Sequence, residues 1–303
     1  MSDKITVATT WLQGCSGCHI SLLDLHEELF DLLEIIDLKY STIFDVKEVP
    51  RVDVGIIEGA VGNEENEELL KTFRERCDKL IALGTCASFG GISGLRNIHK
   101  KADVLYTGYV DTASTVDGVV PSGKDIPALC KNVRALSQVV EIDYIIPGCP
   151  PLPSMIKDAL VAISNGEKPV LPTKNLCDEC SREKEQMLIP KRDFVTDHVD
   201  SPHELDEINP DRCFLDQGVL CMGPATAAGC DARCLKGNMP CRGCMGPTPS
   251  ALEQGAKIIN AVSSILPAGA LMFQEDIVGT GYRYSLPVSI FPELADERSS
   301  TDE

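Results

Sequence analysis

The chain has 303 residues, of which 43% are hydrophobic, and its 46 acidic side chains outnumber 28 basic ones to give a formal net charge of −18. This hydrophobic content is ordinary for a folded protein, and the sequence has no run of about 18 apolar residues that could span a membrane. Because so acidic a surface repels nucleic acid and anionic lipid, we expect neither as a partner.

The first half of the chain alternates apolar strands with helices. Strands are predicted at Ile5–Thr9, Ile35–Tyr40, Val52–Gly59, Lys79–Gly84 and Ile142–Gly148, and helices at His19–Leu33 and from Asn63 to about Cys77. Near-continuous apolar strands separated by helices are typical of a parallel sheet covered on both faces. The sequence therefore predicts a doubly wound, flavodoxin-like α/β domain over residues 1–165.

Four cysteines follow the ends of three predicted strands: Cys15, Cys18, Cys86 and Cys149. Each of these loops also contains glycine, which lets the backbone approach a cofactor closely. Because the carboxyl ends of parallel strands meet at one edge of the sheet, we expect these four thiols to lie together. The long stretch from Ser88 to Leu136, rich in Gly, Ser, Thr and Asp, is interpreted either as a docking surface or as a solvated insertion.

A linker is predicted at Asn165–Pro172, and beyond it the strand–helix alternation stops. Residues 166–303 are expected to form a smaller, mostly helical or irregular domain, with an amphipathic helix over about Ser250–Ile265 and an acidic tail from about Glu293. Eight cysteines crowd into this half: Cys177, Cys180, Cys213, Cys221, Cys230, Cys234, Cys241 and Cys244. So many thiols leave little apolar material for a core, so we expect metal clusters to organise this region.

The chain contains 14 cysteines, and its first residues contain no export signal, so we expect a cytoplasmic protein that uses its thiols for metal or redox chemistry. All-thiolate ligation suits iron–sulfur clusters and zinc alike. Two C-x-x-C pairs, Cys177/Cys180 and Cys241/Cys244, could close a zinc site. The four N-terminal cysteines, which come from three strand ends, are harder to explain as ligands of a structural zinc. They favour iron–sulfur clusters, with iron as the only metal.

Four motifs occur in a characteristic order: Trp11–Cys18, Ile57–Val61, Gly84–Cys86 and Gly148–Pro151. With the cysteine-rich region that follows, they resemble the small subunit of nickel–iron hydrogenases over nearly the whole chain. The resemblance implies an electron-transfer subunit with no H2 chemistry of its own. It also implies a proximal 4Fe-4S cluster on Cys15, Cys18, Cys86 and Cys149 that faces the nickel–iron large subunit.

The resemblance further implies two clusters in the second half, and so three 4Fe-4S clusters in all. A distal 4Fe-4S cluster would use Cys177, Cys180, Cys213 and Cys221, with Cys177 standing where many members of the family have histidine. A medial 4Fe-4S cluster would use Cys230, Cys234, Cys241 and Cys244. Cys234 occupies the place of a proline in members that hold a 3Fe-4S cluster, and the order of the two outer clusters stays open.

Within the family, the all-cysteine ligand set looks most like the cytoplasmic methyl-viologen-reducing, deazaflavin-non-reducing group of methanogenic archaea. That likeness implies electron transfer through a 2Fe-2S subunit to heterodisulfide reductase. Four alternatives are the deazaflavin-reducing relative, the small subunit of respiratory quinone reductases, a zinc-stabilised interaction module and a hydrogen sensor. The quinone reductase subunit uses adjacent cysteines, and this sequence has no Cys-Cys pair.

Four further residues are singled out without an assigned role. Glu58 lies in the Ile57–Val61 motif and has three interpretations: a proton relay, a carboxylate that orders the proximal loop, or a loop carboxylate that accepts backbone N–H groups. His19 follows Cys18 and is interpreted as a surface residue, with hydrogen bonding to cluster sulfur as the alternative. Cys77 and Cys130 fall outside every motif and are interpreted as packed thiols in helical surroundings.

Overall fold

The computed structural model describes residues 4–184, 208–265 and 276–290. The predicted acidic tail from about Glu293 lies outside these residues. The described part of the chain forms two compact units. One comprises the residues up to Pro169 and those from Tyr284 onward, and the other comprises Val170–Arg283. None of the helices in the described ranges has the length and apolar character of a membrane span.

The first unit contains most of the regular secondary structure. In chain order its elements are β1 (Ile5–Trp11), α1 (Gly17–Leu23), α2 (Glu28–Ile35), β2 (Ile36–Tyr40), β3 (Val52–Glu58), β4 (Val61–Asn63), α3 (Glu64–Arg76), β5 (Cys77–Leu83), α4 (Gly84–Phe89), α5 (Lys101–Tyr109), β6 (Leu129–Arg134), β7 (Tyr144–Ile146) and α6 (Pro153–Ser164). A 3-10 turn, Ile92–Ile98, lies between α4 and α5.

Five of the strands form one sheet in the order β2-β1-β3-β5-β7, and every neighbouring pair is parallel. Numbered along the chain within this sheet, the order is 2-1-3-4-5, which is the flavodoxin-like arrangement. The predicted doubly wound α/β fold is confirmed.

Hydrophobic cores cover both faces of the sheet. Successive strand residues point to opposite faces, so Val7 and Ala8 of β1 belong to different cores. Phe73 of α3 packs on one face, and Leu32 of α2 and Leu160 of α6 pack on the other. This two-sided burial leaves the loops at the strand ends as the accessible part of the sheet.

The predicted single helix over His19–Leu33 was wrong, because the structure has two short helices there, α1 and α2. His26 between them has a φ of 51°, which a continuous right-handed helix does not allow. Leu25, beside it, turns into the core. The predicted helix start at Asn63 is confirmed, since the Asn63 side chain caps α3 by accepting a 2.8 Å hydrogen bond from the Asn66 amide.

The long stretch after Ser88 contains more regular structure than expected. It includes α5 and also β6, which pairs antiparallel with β4 in a separate two-stranded sheet. The pattern of β6, Leu129-Cys-Lys-Asn-Val-Arg, has little apolar periodicity, which is why the sequence did not predict a strand there.

The second unit contains α7 (Arg233–Lys236), α8 (Gln254–Ile265) and α9 (Ile277–Gly281) among irregular segments. The predicted amphipathic helix near Ser250–Ile265 is confirmed as α8, which contributes Ile258 and Val262 to a core around Phe214. Cys221 and Cys241 are buried in the same core.

The second domain was expected to run to residue 303, but the described segment from Tyr284 belongs to the first unit. Pro287 fits over Gly90 and Gly94, where a Cβ atom would lie 2.2 and 2.3 Å from the proline ring carbon Cγ. The Gln138 side chain donates a 2.7 Å hydrogen bond to the Pro287 carbonyl. Glycine at both positions is therefore what lets this segment pack against the sheet domain.

Candidate iron–sulfur sites

The four N-terminal cysteines lie at the carboxyl-terminal edge of the parallel sheet. Cys15 lies between β1 and α1, Cys18 within α1, Cys86 within α4 directly after β5, and Cys149 in the loop after β7. The first turn of α4 and the loop after β7 are joined by two 2.9 Å hydrogen bonds. Thr85 N–H donates to the Gly148 carbonyl, and Gly148 N–H donates to the Thr85 hydroxyl.

These thiols influence one another electrostatically. Burial raises the pKa of the Cys18 thiol far above its ordinary value, and the nearby Glu58, Cys86, Cys149 and Cys15 raise it further. Burial also raises the pKa of Cys149 to about 11, with smaller contributions from Cys86 and Cys15. The structure thus brings together the four cysteines that the sequence places at three separate strand ends.

Two glycines leave room for these sulfur atoms. A Cβ on Gly84 would lie 2.2 Å from Cys18 Sγ, and a Cβ on Gly91 would lie 2.5 Å from Cys86 Sγ. Both have positive φ, 82° and 57°. Backbone that approaches sulfur this closely is a feature of thiolate-ligated clusters, whose sulfurs accept N–H donors.

A first set of cysteines in the second unit also lies together. Burial raises the pKa of Cys177 to about 11, and Cys221, Cys213 and Cys180 add to the shift. Burial likewise raises the pKa of Cys221 to about 11, with contributions from Cys213 and Cys180. The four residues predicted as the distal set are therefore neighbours.

In the predicted medial set, the cysteines affect one another's pKa as two pairs. In addition to burial, Cys234 raises the pKa of Cys230, and Cys244 raises the pKa of Cys241. Cys241 also lies against Cys221 of the other set, since its amide donates a 3.4 Å hydrogen bond to Cys221 Sγ. The two sets thus adjoin at this contact, and the division of the eight ligands between them stays a prediction.

Backbone donors surround several of these sulfurs. Gly243 N–H donates to Cys241 Sγ at 3.4 Å, and amides of Leu215 and Asp216 donate to Cys213. Such N–H···S bonds favour the anionic thiolate that ligates iron. All 14 cysteines are free thiols. The donor set therefore fits iron–sulfur clusters, which these cysteines would hold.

In the described ranges, no three or more His, Cys, Asp or Glu side chains are placed to hold a single metal ion.

Comparison with known proteins identifies the family. A model of the NADH ubiquinone oxidoreductase 20 kDa subunit family matches residues 15–163. An NAD+-reducing NiFe-hydrogenase in the H2-reduced state contains a chain that is 34% identical, with a TM-score of 0.55 over 56% of this chain and 96% of that one.

Two archaeal relatives match over nearly the full length. A subunit of the F420-non-reducing hydrogenase of Methanothermobacter thermautotrophicus is 40% identical over 96% of this chain and 97% of its own length. The corresponding vhu-type hydrogenase subunit of Methanocaldococcus jannaschii is 42% identical over 96% of this chain and 98% of its own. The chain belongs to the nickel–iron hydrogenase small-subunit family.

Membership defines what this small subunit does not carry. The H2-activating nickel–iron site of these oxidoreductases lies on the large subunit, with which small subunits pair. Small subunits of the family bind iron–sulfur clusters, in agreement with the cysteine groups described above. The resemblance to the deazaflavin-non-reducing group is also confirmed, because F420 is a deazaflavin and both archaeal relatives are named F420-non-reducing.

The buried Glu58 and the partly buried His19 form a hydrogen-bond network beside Cys18 in the small subunit. Glu58 is 1% exposed, and its Oε2 atom accepts from the His19 amide at 2.7 Å and lies 2.6 Å from His19 Nδ1. With the ring proton on Nδ1, the His19 Nε2 atom accepts from the Thr9 hydroxyl at 2.5 Å. Glu58 thus satisfies a free N–H in the first turn of α1, and the interpretation of His19 as a surface residue was wrong.

We expect Glu58→Ala to destabilise the first unit by about 2–4 kcal/mol, because it leaves partly buried His19 donors without the carboxylate that now accepts from them. Trp11, the only tryptophan, packs edge-on to His19 at 5.6 Å, so its fluorescence during urea unfolding reports on this network. Glu68→Ala, on the exposed side of α3, is the control and should stay within about 0.5 kcal/mol of the unaltered chain. Equal effects of the two changes would contradict a structural role for Glu58.

Cys77 and Cys130 lie apart from the three groups. Cys77 begins β5 in the core, where burial raises its pKa to about 11, and Cys130 lies in β6 with Arg134 donating to its sulfur at 3.8 Å. Both are packed thiols as predicted, although they lie in strands and not in helices.

Proposed function

We propose that this chain relays electrons from H2 oxidation at the large subunit through three 4Fe-4S clusters to a downstream acceptor subunit. The observation that carries the proposal is the convergence of four cysteines from three strand ends at one edge of the sheet. Iron–sulfur clusters would supply reversible one-electron storage at each step. The chain's own contribution is to hold the thiolates, donate N–H groups to sulfur and bury the sites.

In this proposal the proximal set is Cys15, Cys18, Cys86 and Cys149, and it takes electrons from the large subunit. The medial set is Cys230, Cys234, Cys241 and Cys244, and the distal set is Cys177, Cys180, Cys213 and Cys221. The adjoining positions of Cys241 and Cys221 in the structure support transfer between the two outer sets.

We further propose a cytoplasmic complex in which the acceptor is a 2Fe-2S subunit that passes electrons to heterodisulfide reductase. The names of the two archaeal relatives support an acceptor other than F420. Fourteen free thiols suit a reducing compartment. The alternative, a deazaflavin-reducing hydrogenase, would reduce F420 directly, and an F420 reduction assay on the purified complex distinguishes the two.

The direct test is anaerobic purification from the native source, followed by metal and acid-labile sulfide analysis. We expect a larger, nickel-containing chain to co-purify, with about 12 iron atoms and about 12 sulfides on the small subunit, four of each per cluster. Zinc at about one to three atoms per chain without sulfide would instead establish the zinc-stabilised interaction module.

Cluster loading of the metal-free small subunit is expected to improve as the pH rises from about 6.5 to about 8.5. The pKa values of Cys149 and Cys177 are raised to about 11, so both thiols are protonated at neutral pH and must lose protons to bind iron. Iron and sulfide incorporated during anaerobic reconstitution at each pH measure the effect. Loading that is independent of pH would contradict it.

The upper limit of this pH range is set by stability. A raised thiol pKa stabilises the metal-free fold below the unfolded value of about 8.5, and that contribution is lost as the pH rises toward 11. Circular dichroism at each pH, showing an unchanged fold, is therefore the control.

A further inference from the structure

Arg182 is a buried cation in the second unit, 8% exposed, two residues after Cys180. Its Nη1 atom donates to the carbonyls of Asn209 at 3.0 Å and Arg212 at 2.9 Å. Its Nη2 atom donates to Asn238 Oδ1 at 2.5 Å and, at 3.4 Å, to the Leu235 carbonyl. The guanidinium carbon also lies 3.9 Å from the centre of the buried Phe214 ring.

These contacts connect segments that carry cysteines of both outer sets. Arg212 directly precedes Cys213, and Leu235 directly follows Cys234. One side chain therefore joins three cysteine-bearing segments, those of Cys180, Cys213 and Cys234. A planar guanidinium can hold several acceptors in a fixed geometry, which the single ammonium of lysine does not reproduce.

The charge of Arg182 has no carboxylate partner in the described part of the chain, where its acceptors are carbonyl and amide oxygens. Its Nε–H group is buried and has no hydrogen-bond acceptor among the described residues. Among the residues that the structure describes, Arg182 is thus a buried charge without a counter-charge, and such burial is costly. An anionic group close to this position would offset that cost, and the two outer cysteine sets, whose segments Arg182 contacts, would be anionic when they hold clusters.

We propose that Arg182 is a positioning residue for electron transfer between the two outer clusters. It holds the three cysteine-bearing segments together, and its buried positive charge raises the reduction potentials of the clusters in the second unit. Positive charge favours the reduced, more negative state of a nearby centre. This inference rests on the proposed function, since it requires clusters in the second unit.

The test compares Arg182→Gln, Arg182→Lys and Arg283→Gln in the purified holo-complex, with redox titration followed by electron paramagnetic resonance. Arg283→Gln is the matched control, because it removes the same charge from a half-buried arginine of the same unit whose Nε donates to the Gly279 carbonyl. Iron and sulfide are counted in every sample.

Arg182→Gln should lower the midpoint potentials of the outer clusters. It should also alter the broadening that each outer cluster causes in the paramagnetic resonance signal of the other, while the proximal cluster keeps its potential. Arg182→Lys retains the charge and should keep the potentials but alter the broadening, because the segments are no longer held together. If Arg182→Gln does not assemble, Asn238→Ala removes a single acceptor and should change the broadening in the same direction as Arg182→Lys.

Outer-cluster potentials and broadening in Arg182→Gln that match Arg283→Gln would overturn the inference. So would an equal shift of all three clusters, because that would indicate general loosening of the protein. An unaltered chain without iron and sulfide would instead overturn the proposed function, so the two failures are distinguishable.

Discussion

Cys149→Ser is expected to lower the iron content of the small subunit from about 12 to about 8 atoms per chain and to abolish H2-dependent dye reduction by the complex. Cys149 contributes one thiol of the proximal group, and the nearby Cys86 and Cys15 add to the rise in its pKa that burial causes. Because the proximal cluster would be the entry point for electrons, its loss should isolate the two outer clusters from the large subunit. Iron and sulfide analysis with a dye-reduction assay measures both effects.

The control for this change is Cys130→Ser. Cys130 lies in β6 outside the three cysteine groups, so the altered chain should keep about 12 iron atoms and its activity. A Cys149→Ser protein with a full iron load and an unchanged spectrum would contradict the assignment of the proximal site.

Gly84→Ala should also remove the proximal cluster, without removing a ligand. The new Cβ would lie 2.2 Å from Cys18 Sγ, and the residue has a φ of 82°, so both the thiol and the backbone must move. We expect an iron content of about 8 atoms per chain and a loss of about 1–3 kcal/mol in the free energy of unfolding. Iron analysis and urea unfolding measure the two effects.

Gly108→Ala is the matched glycine control for this prediction. Gly108 lies in α5, and a Cβ there would meet nothing within 4 Å. Alanine favours helix, so this variant should gain up to about 1 kcal/mol and keep its iron. If Gly84→Ala keeps the iron content and the free energy of unfolding of Gly108→Ala, the backbone at the start of α4 adapts freely around Cys18 and the prediction is contradicted.

The parallel sheet was predictable because its strands are short apolar runs and because glycine with cysteine marks three of their ends. The convergence of Cys15, Cys86 and Cys149 followed from the geometry of parallel strands alone. The break between α1 and α2 was not predictable, since it falls at His26 with neither glycine nor proline to signal it.

Less of the second unit's structure could be predicted from the sequence, because contacts between residues far apart in the chain determine it. The cysteine spacing indicated clusters, but no local pattern indicates that Arg182 is buried or that it contacts segments 30 and 53 residues away. Charged residues are usually exposed, so a composition argument assigns Arg182 to the surface. The sequence allowed Glu58 to accept a backbone N–H group, but it did not indicate that the His19 ring also lies against Glu58.

The return of Tyr284–Ile290 to the first unit makes the second unit an insertion within the first, anchored at both of its ends. A chain segment whose two ends are fixed has less conformational freedom when unfolded than a free tail. If the second unit held the clusters that we propose and lost them to oxidation, its chain would still be joined to the first unit at both ends. Such tethering keeps the eight outer cysteines at high local concentration, which favours rebuilding of their clusters on the same molecule.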